Sequence, residues 1–425
     1  MTSVIEISPL TRVEGHGRIT VFCAGKRVER VALSLYESPR LFEALLRGKG
    51  YPEVPEIVCR ICSLCSTVHR VCSIMAIEEA MGVRVSEQVR LHRELILYGG
   101  HLQSHALHLY CLVLPDHVDA TGLAGLAGKA PEELKRGLRL KAAGNLIQET
   151  VGGRTIHPVT LIPGSMGKPV PREGLLKLRE ALQAALPDAR ATYELFRDFY
   201  RSEESLGTPG YLRVRGDGGA PLIGDTLATG DGETVPVASY RDVLRERLSE
   251  DGNAKQTLVN GRPPTVGALA RLNLGMPLSP RAGEAFTESR ALVTGADIRA
   301  NNLAQAVELL LAVERSLEIV ATLLDAGFAR EEPVRFAPRK GEGSAAVEAP
   351  RGVLVHSYAF DGRGICTAAD VITPTAINQA ALEADLLALA RRMEGADVPE
   401  LTGALERLVR AYDPCISCAV HLVRM

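Results

Sequence analysis

The sequence lacks a long apolar run, an excess of charge of either sign and a positively charged start. No segment of about 18 consecutive apolar residues occurs, so we expect no membrane span. The formal net charge is −2 over 425 residues, and basic residues form no stripe, which argues against a nucleic-acid partner. The start, "MTSVIEISPLTRVEGHG", has no apolar core behind basic residues. We therefore expect no signal peptide and predict a cytoplasmic protein.

The nine cysteines are distributed unevenly along the chain. Clustered thiols in a cytoplasmic protein are more often metal ligands or redox groups than disulfides. Two clusters contain six of the nine, namely Cys59, Cys62, Cys65 and Cys72 near the start and Cys415 and Cys418 at the end. Cys23, Cys111 and Cys366 stand alone, which is typical of small buried side chains.

The two clusters allow four kinds of site. Cys59, Cys62 and Cys65 match the first part of a ferredoxin iron–sulfur motif, although Cys72 is misplaced as its fourth ligand. The C-terminal "CISC" could instead complete a structural zinc site with the front pair. A C-x-x-C pair can also be a redox disulfide, and both pairs together could hold a redox metal centre. Because about 350 residues separate the pairs, we favour a catalytic two-metal centre that forms only in the completed fold.

Hydrophobic periodicity predicts a mainly helical protein of the α+β class. Residues 1–40 alternate apolar and polar positions and predict a β-hairpin region that turns at Ala24-Gly25. Helices are predicted over 66–82 and 86–114, the second ending at Pro115. The remaining predicted helices cover 131–152, 172–204 with a break at Pro187, and about 297–324, and two more begin near 375 and 400.

Other segments have a different composition. Residues 205–265 are rich in glycine with short β-branched runs, which predicts a small β-rich insertion. Residues 330–350 are predicted to form a loop, followed by paired strands in "RGVLVHSYAF" and "GICTAADVIT". Glu308 and Glu314 are predicted to lie on a solvated helix face. We expect residues 1–425 to form a single intertwined unit, a central bundle of long helices with small peripheral β elements.

Several motifs resemble those of nickel–iron hydrogenase large subunits. "RICSLCSTVH" (Arg60–His69) is similar to the family's R-x-C-G-x-C-x-x-x-H motif, and "DPCISCAVH" (Asp413–His421) to its D-P-C-x-x-C-x-x-H motif. "TRVEGHGRI" and "EAPRG" resemble two further motifs, and "GRTIHP" and "VGALARLN" are also similar to family segments. The likeness runs nearly from end to end in the family's order.

The resemblance implies a nickel–iron centre with cyanide and carbon monoxide ligands on the iron, Ni-Fe(CN)2(CO). Cys62 and Cys415 would be terminal thiolates on nickel, and Cys65 and Cys418 would bridge nickel to iron. His69 would donate a hydrogen bond to a bridging sulfur, which orients the ligand and lowers its electron density. Cys59 and Cys72 would then lie outside the site.

The resemblance also assigns residues around the metals. H2 would be cleaved heterolytically, and its proton would pass from the terminal Cys415 to Glu14, because a carboxylate can both accept and donate a proton. Arg351 would lie over the open face of the metals, paired with Asp413. Thr375, which follows Pro374, would place its hydroxyl near a cyanide ligand.

A second metal ion is implied near the C-terminus. Glu43, His421 and the backbone carbonyl near Val371 would hold Mg²⁺ or Fe²⁺. Family precursors are cut after the last motif residue, so residues 422–425 are a possible cleavable tail.

Two departures from the family pattern narrow the resemblance. Ser63 replaces a glycine of the first cysteine motif, and Ser104 stands where many members have aspartate, so we expect altered surroundings of Arg351. Together with the short tail, they suggest the cytoplasmic sulfhydrogenase-like, NAD(P)-linked branch.

The expected partners follow from the cysteine pattern, because the five cysteines outside the four metal ligands offer no second set of ligands for an electron relay. The resemblance implies an iron–sulfur small subunit, flavin- and NAD(P)-binding subunits with further iron–sulfur subunits, and a maturation protease with nickel-insertion factors. The alternatives are a hydrogenase-fold redox component that does not cleave H2 and a structural-zinc protein.

Overall fold

A computed structural model describes most of the chain. The described residues are 2–36, 41–201, 205–207, 209–216, 219–249, 251–252, 254–295, 297–326 and 332–419. The predicted metal ligand His421 and the predicted tail at 422–425 therefore lie outside the described residues.

Helices make up the larger part of the described structure. They are α1 (Phe42–Leu46), α2 (Val54–Val58), α3 (Ser66–Met81), α4 (Glu87–Leu107), α5 (Leu114–His117), α6 (Gly122–Lys129), α7 (Pro131–Gly152), α8 (Arg172–Phe199), α9 (Tyr240–Val243), α10 (Ala268–Asn273), α11 (Pro280–Val293), α12 (Asn301–Asp325), α13 (Pro374–Arg392), α14 (Val398–Ala411) and α15 (Ile416–Ala419). A π-helical turn over His108–Val113 joins α4 to α5, and 3-10 turns cover Val237–Ser239 and Ile298–Ala300.

Four long helices, α4, α7, α8 and α12, pack against one another and form the central bundle. All residues of α4 from His92 to Ala106 and of α12 from Leu303 to Val313 are buried. Helices buried on every side belong to the interior of a large core. The predicted α+β class with a central long-helix bundle is confirmed.

Two prolines lie within helical structure where breaks were predicted. The predicted break at Pro187 is wrong, because α8 runs without interruption from Arg172 to Phe199. Proline removes one backbone N–H, but Leu182 and Ala189 on either side are buried in the core and hold the helix in place. The predicted helix end at Pro115 is also wrong. The chain widens into the π-helical turn and continues, with Pro115 in the first turn of α5, where a missing N–H is tolerated.

The described strands are short and form five sheets. They are β1 (Thr2–Ile7), β2 (Gly17–Ala24), β3 (Arg27–Leu35), β4 (Leu161–Ile162), β5 (Ser165–Met166), β6 (Gly210–Arg215), β7 (Ile223–Gly224), β8 (Thr226–Thr229), β9 (Thr234–Pro236), β10 (Leu244–Leu248), β11 (Lys255–Val259), β12 (Pro264–Thr265), β13 (Gly341–Ala349), β14 (Gly352–Phe360) and β15 (Cys366–Ile372). The first three form an antiparallel sheet, and β6 to β12 all lie within the segment 205–265.

The sheet with strand order β15-β14-β13-β7 lies against α3 and carries part of the site described below. All its pairings are antiparallel, and the pairing of β14 with β15 confirms the two strands predicted from the sequence. β14 is buried at every residue except Ala359, which is half-buried. Its side chains therefore lie in the interior on both faces.

The predicted loop over 330–350 is wrong in its second half, where Gly341–Ala349 forms β13. A Cβ atom at Gly343 would lie 2.3 Å from the carbonyl oxygen of Ala76 in α3, and one at Gly341 would lie 2.3 Å from that of Ala80. Glycine here lets the strand backbone approach the helix closely. The glycines that suggested a loop in the sequence thus allow β13 to pack closely on α3.

Among the described residues, no helix combines the length and the apolar character that crossing a bilayer requires.

Candidate metal centre

Four cysteine sulfurs from opposite ends of the chain meet in the interior. Cys62 lies in the turn after α2, Cys65 directly precedes α3, and Cys415 and Cys418 lie beside and on α15. Cys415 Sγ lies 2.8 Å from Cys418 Sγ, 3.3 Å from Cys62 Sγ and 3.7 Å from Cys65 Sγ. All four residues are buried, and their sulfurs lie within 4.8 Å of one another. Within the described ranges, no other group of three or more such side chains is so arranged.

The N-terminal segment holds the C-terminal pair in place. Glu14 forms an isolated parallel β-bridge with Cys415, and its carbonyl accepts a hydrogen bond from the Ile416 N–H at 3.1 Å. The Glu14 carboxylate accepts the Ser417 N–H at 3.1 Å and also the Ser417 hydroxyl. Glu14 is thereby fixed next to the segment that joins Cys415 to Cys418.

The pKa values of the cysteine thiols depend on burial and on the hydrogen bonds between the thiols. Burial raises the pKa of the Cys415 and Cys418 thiols well above the ordinary value. Hydrogen bonds from Cys415 and the other neighbouring thiols lower the pKa of Cys62 well below it. A cation that binds all the sulfurs must displace the protons of Cys415 and Cys418, so its affinity depends on pH.

Arg351 holds a guanidinium group against the sulfurs. It lies in the turn between β13 and β14, with Nη1 3.6 Å from Cys65 Sγ. Its Nε donates to the Asp413 carbonyl at 2.8 Å, and Nη2 lies 3.0 Å from Asp413 Oδ1. Burial acts to lower the pKa of Arg351, but Asp413 and the adjacent thiolates raise it well above the ordinary value, so the group stays charged. The turn requires Gly352, whose φ is 125° and where a Cβ atom would lie 2.4 Å from Val266 Cγ2.

Asp413 has further partners that the sequence did not suggest. It accepts from Gln305 Nε2 at 3.0 Å, and Gln305 Oε1 lies 2.6 Å from His108 Nδ1 at the start of the π-helical turn. Such turns are frequent at functional sites, but no motif spacing marks either residue. Ser104, where a missing carboxylate was expected to alter the surroundings of Arg351, is buried, and its Oγ makes no hydrogen bond within the described residues.

A buried arginine was also missed by sequence reasoning. Arg271 is fully buried and donates to the carbonyls of Ala349 and Pro350 at 2.9 and 3.1 Å. It also donates to Glu348 Oε2 at 2.7 Å. These bonds fix the two residues that precede Arg351, so Arg271 determines where the turn presents its guanidinium.

The predicted solvated position of Glu308 is wrong. Glu308 accepts two hydrogen bonds from Arg271 at 2.6 Å each and one from His105 at 2.9 Å. Burial acts to raise the pKa of Glu308, but the Arg271 guanidinium holds it below the ordinary range, so the carboxylate stays charged. Glu314 is half-buried and accepts from Ser279 Oγ and from the first backbone N–H groups of α11, which makes it a helix cap.

A small cavity opens beside three of the four sulfurs. Arg351, Thr375 and Pro374 are among the residues that line it. Thr375 Oγ1 accepts the Cys415 N–H at 2.9 Å, which leaves its own hydrogen available for donation. The remaining lining residues are Cys65, Val68, His69, Ala349, Leu354, Cys415 and Cys418.

The other residues of the front cluster fall into two groups. His69 Nε2 lies 3.8 Å from Cys418 Sγ, within contact of a sulfur of the centre. Cys59 and Cys72 are buried away from it and donate to backbone carbonyls at 3.2 and 3.3 Å. The geometry therefore does not support a ferredoxin-like site with Cys59.

The residues predicted for a second metal ion are brought together in part. Glu43 Oε1 accepts the Val371 N–H at 2.9 Å and lies 3.1 Å from Lys255 Nζ. Lys255 also pairs with Glu246 at 2.9 Å, and burial raises the pKa of Glu246 to about 7. Within the described residues, the Lys255 ammonium group thus pairs with the Glu43 carboxylate that was predicted to bind the second metal ion.

The residues fit a transition-metal centre. Four sulfur ligands favour nickel, copper, zinc or iron over hard cations. A structural zinc site is closed by its four ligands, whereas here a buried arginine and a cavity lie on one side. The fold and the site define a metalloprotein whose thiolate centre keeps room for further ligands.

Comparison with known proteins identifies the family. A family profile described as nickel-dependent hydrogenase matches residues 40–146 and 290–421, and a HoxL-like profile matches residues 4–34. The chain is 37% identical to the alpha subunit of sulfhydrogenase 1 of Pyrococcus furiosus and 39% identical to that of sulfhydrogenase 2. These alignments cover 99% of this chain and 98% and 100% of the relatives. A crystal structure of NAD+-reducing NiFe hydrogenase in the H2-reduced state matches with a TM-score of 0.90 and 26% identity over 99% of both chains.

The chain belongs to the nickel-dependent hydrogenase family and is the large catalytic subunit of such an enzyme. It is an oxidoreductase that acts on H2, and its cysteine cluster binds a nickel–iron centre.

Proposed function

We propose that the four cysteines have two distinct roles in the reversible heterolytic cleavage of H2. Cys62 and Cys415 would hold nickel as terminal ligands, and Cys65 and Cys418 would be shared between nickel and an iron that carries cyanide and carbon monoxide. The observation that carries this proposal is the position of the cavity, which borders Cys65, Cys415 and Cys418 but not Cys62. Small further ligands of the metals would thus have space on the side of Cys65, Cys415 and Cys418, away from Cys62. When bound, the centre supplies a Lewis-acidic site that polarises H2 and accepts its two electrons.

Arg351 and Thr375 prepare the cavity for this chemistry. The Arg351 guanidinium stays charged and is fixed by Asp413, so a positive group faces the reacting side in a water-poor environment. The Thr375 hydroxyl, held by the Cys415 N–H, can donate to a cyanide nitrogen, and Pro374 forms a rigid apolar wall beside it.

Glu14 accepts the proton that leaves the centre. Cleavage of H2 yields two protons and two electrons, and a buried sulfur that has taken up a proton as a thiol needs a nearby base to release it. Glu14 is fixed beside Cys415 by backbone pairing and by the Ser417 hydrogen bonds. Its carboxylate is therefore the proton acceptor from Cys415, and His69 supports the bridging Cys418.

The electrons leave through another chain. The cysteines outside the centre are single and buried, and the described residues contain no second cluster of metal-ligating side chains. An iron–sulfur small subunit is therefore required. The relatives named above are alpha subunits, and one structural neighbour is described as NAD+-reducing, which supports flavin- and NAD(P)-binding subunits with further iron–sulfur subunits beyond it. A cytoplasmic location remains a prediction of the sequence.

A second ion belongs to the C-terminal region in this proposal. Glu43, the carbonyl of Val371 and His421 would hold Mg²⁺ or Fe²⁺, with Lys255 moving away from the Glu43 carboxylate. Removal of residues 422–425 by a maturation protease, after nickel insertion, would place the new carboxylate next to this ion.

Two cysteines three residues apart provide the test. Cys62→Ser should abolish nickel loading and lower H2-dependent dye reduction by the purified complex by at least ~100-fold, because a terminal thiolate is lost. Cys59→Ser is the matched control and should retain both, since the Cys59 thiol donates to a backbone carbonyl and lies outside the group of four sulfurs. Full nickel occupancy in Cys62→Ser would overturn the assignment.

A further inference from the structure

The segment that carries Glu14 has little regular structure of its own. Among residues 8–16, all of which the structure describes, the only strand pairing is the isolated bridge of Glu14 to Cys415. Arg12 in this segment has a φ of 55°, in the left-handed region that is unfavourable for residues other than glycine. Contacts with other parts of the chain must therefore hold the segment in this conformation.

Asp116 binds two arginines at once. Its carboxylate accepts hydrogen bonds from Nε of Arg410 at 2.8 Å and from Nη2 of Arg410 at 2.9 Å, and it also pairs with Nη2 of Arg12. Arg410 Nη1 donates to the carbonyl of Thr11 at 3.1 Å. The Asp116 side chain is 12% exposed and that of Arg410 only 3%, so salt and water screen this ion pair little. We refer to Asp116, Arg12 and Arg410 as the arginine clamp.

The π-helical turn between α4 and α5 contacts both arginines of the clamp. Arg12 Nη1 donates to the carbonyl of Leu112 in this turn at 2.9 Å. At the start of the turn, His108 Nε2 lies 2.8 Å from the carbonyl oxygen of Arg410. Such turns are frequent at functional sites, and this one places its carbonyl and imidazole groups where they fix the two arginines.

The clamp is connected to the chain between the last two cysteines. Arg12 lies two residues before Glu14. The carbonyl of Glu14 accepts the Ile416 N–H at 3.1 Å, and its carboxylate accepts the Ser417 N–H at 3.1 Å. A shift of residues 11–14 would therefore move the two sulfurs that flank Ile416 and Ser417 relative to the front pair, which is held separately by α2 and α3.

We propose that Asp116 is a positioning residue of the metal centre. Through Arg12 and Arg410 it fixes the N-terminal segment against residues 415–418, and thereby sets how the two cysteine pairs face each other. The proposal rests on the four cysteines as metal ligands, but not on the separate roles proposed above for each of them. Loss of a group that orients metal ligands typically lowers metal affinity by about 10- to 100-fold.

Asp116→Asn tests this proposal in the metal-free full-length chain. Asparagine keeps the size of the side chain but removes the charge that pairs both arginines, and its NH2 group cannot accept a hydrogen bond. Co²⁺ is the probe, because soft thiolates bind it and its thiolate complexes absorb light. The variant should bind Co²⁺ at least ~10-fold more weakly than the wild type. Mass spectrometry should also show faster amide hydrogen exchange in the peptides that contain residues 10–17 and 412–418.

Asp188→Asn is the matched control. Asp188 also accepts two hydrogen bonds from one arginine, Arg139, at 2.7 Å each, and its side chain is 15% exposed. This variant loses an ion pair too, but it should keep the wild-type Co²⁺ affinity and the exchange rates of both peptides. Arg12→Gln leaves the pair of Asp116 with Arg410 in place and should reproduce the effect of Asp116→Asn.

Equal Co²⁺ affinities of the wild type and a folded Asp116→Asn chain would overturn the proposal. Wild-type affinity in Arg12→Gln would also overturn it, because the effect of Asp116 would then pass through α14 alone. A wild-type chain that does not bind Co²⁺ would contradict the cysteines as ligands. The amide exchange would still test the clamp in that case, since unchanged rates in Asp116→Asn would refute it. These measurements do not depend on whether the chain cleaves H2.

Discussion

Replacing Glu308 by glutamine tests whether the charged pair that supports the Arg351 turn is as deeply buried as the structure shows. Glu308 accepts two hydrogen bonds at 2.6 Å from Arg271, and neither side chain is more than 2% exposed. Glutamine keeps the shape but removes the charge and turns an N–H group toward the guanidinium. Removing one partner of a buried pair costs about 3–5 kcal/mol.

The expected shift in unfolding temperature follows from chain length. An unfolding entropy of about 2.1 cal/mol/K per residue gives roughly 0.9 kcal/mol/K for a chain of 425 residues. The Glu308→Gln chain should therefore unfold roughly 3–6 °C below the wild type in scanning calorimetry.

Glu318→Gln is the matched control, because Glu318 lies on the same helix and also pairs with an arginine, Arg315, but is 63% exposed. An exposed pair is worth at most about 1 kcal/mol, so its midpoint should fall by about 1 °C or less. The two variants should be compared at one scan rate. Equal unfolding temperatures for Glu308→Gln and Glu318→Gln would refute the reasoning that the Arg271–Glu308 pair is buried and needed for stability.

Three further predictions concern the site and the pH dependence of stability. Glu14→Gln should leave nickel and iron in place but slow H2/D2O exchange by at least ~100-fold; full exchange would remove Glu14 from the proton route. Arg351→Lys should lower kcat more than metal content, because lysine cannot maintain the forked contact with Asp413; unchanged kcat would contradict this. Burial raises the pKa of Asp385 from 3.8 to about 6. Its contribution to stability is thus present below pH ~4 and lost as the pH rises through 6, by at most about 3 kcal/mol. Asp385→Asn can still accept from Tyr412 and should remove this loss; an unchanged pH profile of the unfolding midpoint would show that Asp385 is not the group responsible.

Much of the site could be predicted from the sequence because its ligands occur in short motifs. The spacing of Cys62 with Cys65 and of Cys415 with Cys418 is local, and helix and turn geometry bring each pair together. The likeness to a family then indicated that the pairs meet, which no local pattern could show. The mainly helical class was also predictable, because α4 and α12 carry long, regular apolar patterns.

The errors occurred where a residue's environment is created by distant chain. Glu308 looks like a surface residue on its helix, but Arg271 and His105 surround it from other segments. Gly341 looks like part of a loop, but it permits close packing of β13 on α3. Pro187 should weaken a helix locally, yet tertiary packing preserves α8.

The central claim is that the four sulfurs hold nickel and iron rather than another metal, and elemental analysis combined with infrared spectroscopy of the purified complex tests it most directly. The account predicts one nickel and one iron per chain, with absorption bands from cyanide and carbon monoxide ligands. Stoichiometric zinc without nickel, or iron without these bands, would contradict it.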